Sequence, residues 1–278
     1  MNKILILGAS GFIGNTLYKE LQPYFDVFGT YCHENDLLEQ NQIFYKFDVE
    51  RDDILDVLKE TNPNFIISAL KGNFKAVFKT HQSLVHYVSV NKGCKLLYIS
   101  CNHVFDGADR FPSYESDPTL SESTLGKFKI SIEKLISDLP KDSFAILRIP
   151  LVLGVNSPTM SLLKRAIQDK TDFDVFPNLI ITVTTARKIA QQIHYIVNKK
   201  LTGIYHLAST DLVHHEDLIT EITSKLSEEK PVFKRVYSRN EDSYQAILPK
   251  ENKLPKQYRI TIAEVIKEST LNEEINLL

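Results

Sequence analysis

The sequence has no long hydrophobic run and no marked excess of charge of one sign. Its formal net charge is -2 at pH 7, and Lys and Arg are spread along the chain, so no basic stripe suits the phosphates of DNA or RNA. The apolar stretch "FAILRIPLVLG" is interrupted by Arg148 and Pro150 and is too short to span a bilayer. We therefore expect no nucleic acid and no membrane among the partners.

Cysteine is also scarce. Cys32, Cys94 and Cys101 are odd in number and lack the spacing of metal ligands, which argues against a disulfide framework and against a structural zinc or other metal site. The apolar run in "MNKILILGAS" leads into a glycine loop without a small-residue cleavage site, so it predicts a buried strand rather than a secretion signal. We expect a cytoplasmic protein with reduced thiols.

Six apolar runs of strand length recur within the first 150 residues: KILIL, DVFGTY, QIFYKF, NFIISAL, KLLYIS and FAILRI. Because they do not alternate with polar residues, they predict parallel strands covered on both faces. Helical patterns lie between them. One places Ile54, Leu55 and Leu58 at helical spacing and stops at Pro63, and the next ends at Gly93, a residue suited to a C-cap. The sequence predicts an α/β fold with a Rossmann-like, doubly wound parallel sheet.

The pattern becomes less regular after Pro150. We find no repeat and no Gly/Ser-rich linker there. We expect residues 151–278 to form a smaller, mixed α/β substrate-binding region, with some elements returning to the main sheet. Helices are predicted at 157–170, 184–200, 215–226 and 259–269, and strands at 203–208 and 230–238.

The segment GASGFIG directly follows the first predicted strand. Its glycines permit a tight turn, close approach of a pyrophosphate and close helix packing, and they leave N–H groups free at a helix N-terminus. The bare spacing also fits a packing loop, but its place after an apolar strand predicts a dinucleotide-binding Rossmann domain over residues 1–150. The residues expected to contact the cofactor here are Gly8, Ser10, Gly11, Phe12, Ile13 and Gly14.

A second cofactor contact is predicted at the end of the third strand. "FYKFDVE" places there Asp48, whose carboxylate can accept from the adenine amino group, and Val49, which can press on the adenine ring. The alternative is an ordinary aspartate that caps a helix at Arg51. The neighbouring glycine loop favours the cofactor role.

The choice between NADP and NAD depends on the end of the second strand. No Asp or Glu stands immediately beside Thr30 to hold a ribose 2′-hydroxyl, and this absence leans toward NADP. The arginine expected for a 2′-phosphate is missing too, so the preference stays open. Tyr31 and His33 are the nearby candidates.

Six segments stand in a characteristic order along the chain: GASGFIG at 8–14, SCNHVFDG at 100–107, YESDP at 114–118, LGKFK at 125–129, LRIPLVLG at 147–154 and GIYHLA at 203–208. This order resembles the extended short-chain dehydrogenases, most closely the dTDP-4-dehydrorhamnose reductase family. The resemblance implies an NAD(P)-dependent reductase and a nucleotide-sugar substrate. A homodimer is a possible assembly, which the sequence leaves open. Relatives of that family include a non-catalytic regulatory subunit of methionine adenosyltransferase.

The resemblance implies a mixed set of site residues. In the family, a threonine hydroxyl at a strand end binds the keto oxygen, and a tyrosine four residues before a lysine donates the proton. The lysine lowers the pKa of that tyrosine and contacts the nicotinamide ribose. Lys129 stands at the lysine position, but Cys101 replaces the threonine and Leu125 the tyrosine. A thiol is a weak donor and leucine has no proton to give.

We therefore expect Lys129, Cys101 and His103 to form the catalytic set, with Lys129 also contacting the ribose. The alternative for Lys129 is a solvated helix lysine. If the strand continues past Cys101, His103 shares its face, and an imidazolium there can replace the missing acid. The alternative is a histidine bonded to local backbone.

Two functions follow from these residues. One is an NAD(P)-dependent reductase of a nucleotide-linked keto sugar with altered proton delivery. The other is an NAD(P)-binding regulatory or scaffold subunit without reductase activity, which Leu125 and Cys101 favour.

Overall fold

A computed structural model of the chain describes residues 2–33, 41–237 and 240–271. These residues form two compact units. The first takes in the described residues of 1–101, 127–148 and 189–205, and the second those of 102–126, 149–188 and 206–278.

Strands and helices alternate along the described part of the chain. The strands are β1 (Lys3–Leu7), β2 (Asp26–Tyr31), β3 (Phe44–Lys46), β4 (Phe65–Ser68), β5 (Lys95–Cys101), β6 (Phe144–Ile149), β7 (Leu151–Leu153), β8 (Asp172–Val175), β9 (Leu179–Ile181), β10 (Val183–Thr185), β11 (Gly203–His206), β12 (Val213–His214), β13 (Val232–Arg235) and β14 (Ser243–Gln245). The helices are α1 (Phe12–Leu21), α2 (Ile54–Thr61), α3 (Phe74–Val90), α4 (Thr124–Ser137), α5 (Pro158–Asp169), α6 (Ala186–Asn198), α7 (His215–Leu226) and α8 (Ile262–Ser269). A 3-10 turn, Asn102–Phe105, follows β5.

Seven strands form one sheet in the order β3-β2-β1-β4-β5-β6-β11. The pairings of β1 with β2 and β4, of β2 with β3 and of β4 with β5 are parallel. The order reverses between β1 and β4, and such a reversal is where open α/β sheets bind ligands, beyond the carboxyl ends of the strands. The predicted Rossmann-like fold is confirmed, and the six apolar runs correspond to β1 through β6.

Side chains in the first unit explain why these strands read as unbroken apolar runs. Leu5 and Leu7 of β1 and Ile66 of β4 are fully buried in one cluster, since a parallel sheet is covered on both faces. α3 differs slightly from the prediction, because it ends at Val90 and its C-cap is Asn91 rather than Gly93.

The second unit contains smaller sheets. β7 pairs with β10, β8 with β13, and β9 with both β12 and β14. α5, α7 and α8 pack around these strands through a second apolar cluster that includes Leu153, Leu163, Leu218 and Val265. The helices and strands predicted for residues 157–269 are present, and β11 is an edge strand of the seven-stranded sheet.

Candidate functional site

The glycine loop between β1 and α1 is built for close backbone approach. Gly8 has a positive φ of +79°, and a Cβ there would lie 3.0 Å from the carbonyl oxygen of Ala69, the residue after β4. A Cβ on Gly14 would lie 2.1 Å from the Gly8 carbonyl oxygen, so α1 packs directly on the turn. The Gly8 N–H donates to the Thr30 hydroxyl at 2.9 Å, which ties the turn to β2.

The N-terminus of α1 is open to an anion. Gly11 is the N-cap residue, no side chain caps the helix, and the first turn carries no acidic residue. Ser10 and Gly11 are exposed, and Phe12 and Ile13 are half-buried. Helix N–H groups that lack a capping side chain suit a phosphate or diphosphate. The residues present therefore fit the pyrophosphate of a dinucleotide.

Asp48 lies just beyond β3, where the sequence predicts an adenine contact. Its Oδ1 accepts the N–H of Glu50 at 3.0 Å, and its Oδ2 lies 3.6 Å from Nε of Arg51. The helix that follows starts later, at Ile54, and is capped by Asp53. Asp48 thus closes a local turn, and it does not cap a helix at Arg51.

Val49 and the end of β2 border the same region of the first unit. Val49 is half-buried, and a Cβ on Gly72 would lie 3.2 Å from its Cγ2. Thr30 is buried and bonded to the glycine loop, and Tyr31 is buried as well. Of the two candidates for the ribose, only His33 is exposed.

Charges of both signs surround the thiol of Cys32 at the end of β2. Burial raises the pKa of this thiol, and Asp48 and Asp52 raise it further, whereas Lys46 and Arg51 lower it. Two carboxylates and two cations therefore lie near the place where the ribose of a bound dinucleotide is expected.

Lys129 is anchored to the strand beside its helix. Its Nζ donates to the carbonyl oxygen of Ile99 at 3.0 Å, and the side chain is half-buried. Burial lowers the pKa of Lys129, Cys101 and Glu133 act to raise it, and Lys71 lowers it. A fully solvated helix lysine would show neither the bond nor the burial.

A buried ion pair supports the same helix. Arg148 of β6 and Glu133 of α4 are 3% and 5% exposed, and Arg148 Nη2 donates to Glu133 Oε2 at 2.8 Å. Ser100 donates to Glu133 Oε1. Sequence reasoning missed Glu133, although it lies one helical turn after Lys129, on the side of α4 that faces the sheet.

His81 is a second buried polar residue that the sequence analysis did not predict. His81 of α3 is fully buried; its Nδ1 lies 2.7 Å from the carbonyl oxygen of Val77 and its Nε2 lies 3.0 Å from Ser68 Oγ. Burial lowers the pKa of His81 to about 4, partly opposed by the Val77 bond and reinforced by Lys129. The ring is therefore neutral near pH 7, so Val77 accepts from Nδ1–H and Ser68 donates to Nε2.

The second unit holds His103, whose predicted place on the face of Cys101 depended on the strand continuing past Cys101. β5 ends at Cys101, so His103 lies in the 3-10 turn and not on the strand face of Cys101. The Asn102 side chain donates to the backbone oxygen of Gln245 at 2.9 Å, which takes the chain out of the strand direction. Cys101 is half-buried. The structure thus separates the two residues by a change of secondary structure.

His103 lies within reach of two side chains. Its Nδ1 is 2.9 Å from Nε2 of Gln245 and 3.7 Å from Oδ2 of Asp106, and its side chain is 39% exposed. With the Gln245 amide donating to Nδ1, the neutral ring carries its proton on Nε2. The hydrogen bond of Nδ1 is to the Gln245 side chain rather than to local backbone, unlike the alternative considered from sequence.

Asp106 is held as a carboxylate. Burial alone would raise its pKa, but hydrogen bonds from Ser123 and Ser121 and from the N–H groups of Glu122 and Ser123 lower it overall. Its Oδ2 is buried and, among the described residues, accepts no hydrogen bond. That oxygen faces His103 Nδ1, so a protonated His103 has a carboxylate partner.

Leu125 lies at the start of α4, one turn before Lys129, and is 38% exposed. The position at which the family carries tyrosine is thus a partly exposed hydrocarbon here.

No described group of three or more His, Cys, Asp or Glu side chains is placed to hold a metal. None of the three cysteines forms a disulfide, and no described helix has the length and apolarity to cross a bilayer.

Comparison with known proteins gives a family and a set of similar folds. The family model of the RmlD substrate binding domain matches residues 1–258. The chain is 24% identical over 236 residues to methionine adenosyltransferase 2 subunit beta of Danio rerio, covering 75% of this chain and 69% of that protein. The predicted resemblance to the extended short-chain dehydrogenases is confirmed.

Solved structures are similar over nearly the whole chain. dTDP-4-dehydrorhamnose reductase from Yersinia enterocolitica has a TM-score of 0.76 at 17% identity, covering 97% of this chain and 99% of that one. The Bacillus anthracis reductase in complex with NADP has a TM-score of 0.76 at 18% identity, with 97% and 99% coverage. dTDP-glucose 4,6-dehydratase from Bacillus anthracis in complex with NAD has a TM-score of 0.79 at 16% identity, with 97% and 96% coverage.

Proposed function

We propose, from the premise that the chain belongs to the family of the RmlD substrate binding domain, that it is an NAD(P)-dependent reductase of a nucleotide-linked keto sugar. The observation that carries this proposal is the glycine loop at the switch point of the sheet, where Gly8 and Gly14 leave no room for side chains and the N-terminus of α1 has no capping side chain.

The first unit supplies the residues that hold the cofactor. N–H groups from Ser10 to Gly14 bind the pyrophosphate, Asp48 and Val49 contact the adenine, and Lys129 donates to the nicotinamide ribose. Burial lowers the pKa of Lys129 from the ordinary lysine value, and Cys101 and Glu133 act against this shift. When bound, a reduced nicotinamide supplies the hydride that a keto carbon accepts.

Proton delivery falls to residues other than a tyrosine. We assign His103 as the donor, through Nε2 of its imidazolium, and Cys101 as a weaker hydrogen-bond donor to the keto oxygen. In the imidazolium both ring nitrogens carry protons, so the Gln245 side chain must turn its amide oxygen toward Nδ1. After Nε2 gives up its proton, the ring keeps its remaining proton on Nδ1, which lies 3.7 Å from Asp106 Oδ2. Residues 151–278 are proposed to supply the substrate-binding surface.

The cofactor is proposed to be NADP(H) rather than NAD(H). No carboxylate follows Thr30 immediately, and the cations Lys46 and Arg51 lie near Cys32. Asp48 and Asp52 oppose them, so the proposed preference is modest. A cytoplasmic location and a homodimer remain predictions.

A regulatory NAD(P)-binding subunit without turnover is the second candidate. Leu125 favours it, because loss of a general acid typically lowers the rate about 10²–10⁴-fold and leaves binding intact. The nucleotide-sugar substrate belongs to the first candidate alone, so turnover separates the two.

One experiment distinguishes them. The chain contains no tryptophan, so NADPH and NADH are titrated by the nucleotide's own fluorescence, and nucleotide oxidation is then followed with dTDP-4-keto sugars. Leu125→Tyr is the test variant, and Leu120→Tyr, at another exposed leucine, is the matched control. Turnover by the wild type supports the reductase. Binding without turnover, with turnover gained only in Leu125→Tyr, supports the regulatory subunit, and no titration by either nucleotide overturns both.

A further inference from the structure

Lys129 sits over an aromatic ring that the proposed function does not use. Its Nζ lies 4.8 Å from the centre of the Tyr98 ring, in the strand whose Ile99 carbonyl oxygen it also contacts. A cation over the face of an aromatic ring is attracted by the ring's quadrupole, and the attraction is larger where water is excluded. Two neighbouring residues of β5 therefore hold the ammonium group.

The hydroxyl of Tyr98, unlike its ring, makes no contact with Lys129 that we assign. Tyr98 is 1% exposed, and its oxygen is buried with no hydrogen-bond partner among the described residues. Burial raises the pKa of Tyr98 well above its usual value, and Glu133 and Cys101 raise it further. A raised pKa makes this phenol a weaker acid than an ordinary tyrosine, and its oxygen is closed to solvent, so we do not assign Tyr98 as the replacement for the tyrosine missing at position 125.

The Tyr98 ring also contacts a second aromatic ring. The His81 ring meets it edge to face, with centroids 5.1 Å apart and an interplanar angle of 80°. His81 is held by Ser68 and by the Val77 carbonyl oxygen, and burial keeps it neutral, so it adds no second cation next to Lys129. The aromatic face thus has a defined position beneath the ammonium group.

We propose that Tyr98 is a positioning residue for Lys129. Its ring holds the ammonium group in place and favours the charged form of Lys129, in a chain without a phenol at position 125. The proposal rests on the proposed function only in assigning Lys129 to the cofactor. Among the described residues, the groups with an electrostatic effect on Lys129 are Cys101, Glu133, Lys71, Tyr98 and the neutral His81, and of these Tyr98 contributes the face of its ring.

The test separates the ring from its hydroxyl. Tyr98→Phe removes only the unpaired oxygen, whereas pentafluorophenylalanine at position 98 keeps the size of the ring and reverses its quadrupole. Tyr98→Leu removes the ring, and Tyr205→Leu, at a buried tyrosine of edge strand β11, is the matched control. The pKa of Lys129 is measured by NMR of ¹³C-methylated lysines, with the signal assigned by its loss in Lys129→Arg, and NADPH affinity is measured in parallel.

We expect Tyr98→Phe and Tyr205→Leu to leave the pKa of Lys129 unchanged. The fluorinated ring and Tyr98→Leu should lower it by about one unit and weaken NADPH binding about tenfold. Equal changes in the pKa of Lys129 in Tyr98→Phe and in the fluorinated variant would overturn the proposal. An unchanged pKa of Lys129 in the fluorinated variant would also overturn it. The fluorinated variant retains the packing of the ring, so it still gives a test if Tyr98→Leu fails to fold. The titration of Lys129 needs no cofactor. A wild type that binds no nucleotide would therefore contradict the proposed function, and the measured pKa of Lys129 would still test the role of Tyr98.

Discussion

The Cβ that Gly126 lacks would lie 2.1 Å from the carbonyl oxygen of His103. The same position would bring it 2.1 Å from Oγ of Ser121. α4 therefore packs on the 3-10 turn with no room for a side chain. The glycine in the LGKFK segment is required for packing, whether or not the chain is catalytic.

Gly126→Ala should destabilise the protein by about 1–3 kcal/mol, because the clash is partly with backbone and overpacking of this kind forces the helix to move. Urea denaturation measures the change in the free energy of unfolding. Lys127→Ala, at an exposed position of the same helix, is the control and should change stability little. Equal stability of Gly126→Ala and Lys127→Ala would contradict the packing argument.

Glu133→Ala should lower the free energy of unfolding by about 3–5 kcal/mol, because it leaves the guanidinium of Arg148 buried without its carboxylate. The double variant Glu133→Leu/Arg148→Met should recover much of this loss, since no charge then stays buried unpaired. Lys134→Ala, exposed on the next position of α4, serves as control. A double variant less stable than Glu133→Ala would show that the pair is not the source of the loss.

His81 should make stability depend on pH. Its folded pKa of about 4 lies below the ordinary value of 6.5, so below pH 6.5 the unfolded chain binds the proton that the folded chain excludes. Stability therefore falls as pH drops from 6.5 to about 4, by up to about 3 kcal/mol.

Denaturation midpoints are measured over this pH range for the wild type and for His81→Gln. The difference between the two slopes gives the contribution of His81 to the pH dependence of stability. The glutamine should flatten part of the slope. His86→Gln, which changes an exposed histidine on the same helix, should leave the slope as it is. If the wild type and His81→Gln show the same slope, His81 is not a source of the pH dependence of stability.

Thr30→Val should weaken NADPH binding about tenfold, because the Gly8 N–H loses its hydroxyl partner and the loop loses a tie to β2. Thr30→Ser keeps the hydroxyl and should bind nearly as tightly as the wild type. Fluorescence titration gives both dissociation constants. The role of Thr30 is excluded if valine and serine bind NADPH equally well.

His103→Ala should lower turnover about 10²–10⁴-fold at saturating nucleotide, since it removes the proposed proton donor. The dissociation constant for NADPH should not change, because His103 belongs to the proposed proton path and not to the cofactor site. Steady-state kinetics with a dTDP-4-keto sugar measures the effect, and His214→Ala is a control at a histidine whose Nδ1 bonds to the Pro177 carbonyl oxygen. Unchanged turnover in His103→Ala removes it from the mechanism.

The strands and the glycine loop were predictable because their signals are local. An apolar run such as β1 reads directly as a buried strand, and the spacing of Gly8, Gly11 and Gly14 reflects a turn and a helix start within a few residues. The helices at Ile54 and Ile262 were likewise visible, since periodicity and capping residues lie inside each segment.

The amino-acid sequence by itself determined the fold class, the glycine turn between β1 and α1 and the absence of a phenol at position 125, because each depends on neighbours along the chain. Only the tertiary structure decided that β5 stops at Cys101, where Asn102 bonds to the backbone of Gln245, 143 residues away. It also decided that Lys129 rests on Tyr98 and that Glu133 pairs with Arg148. These contacts join separate elements of the chain, and the physical reason they escape a reading of the sequence is that packing, not local pattern, selects such partners.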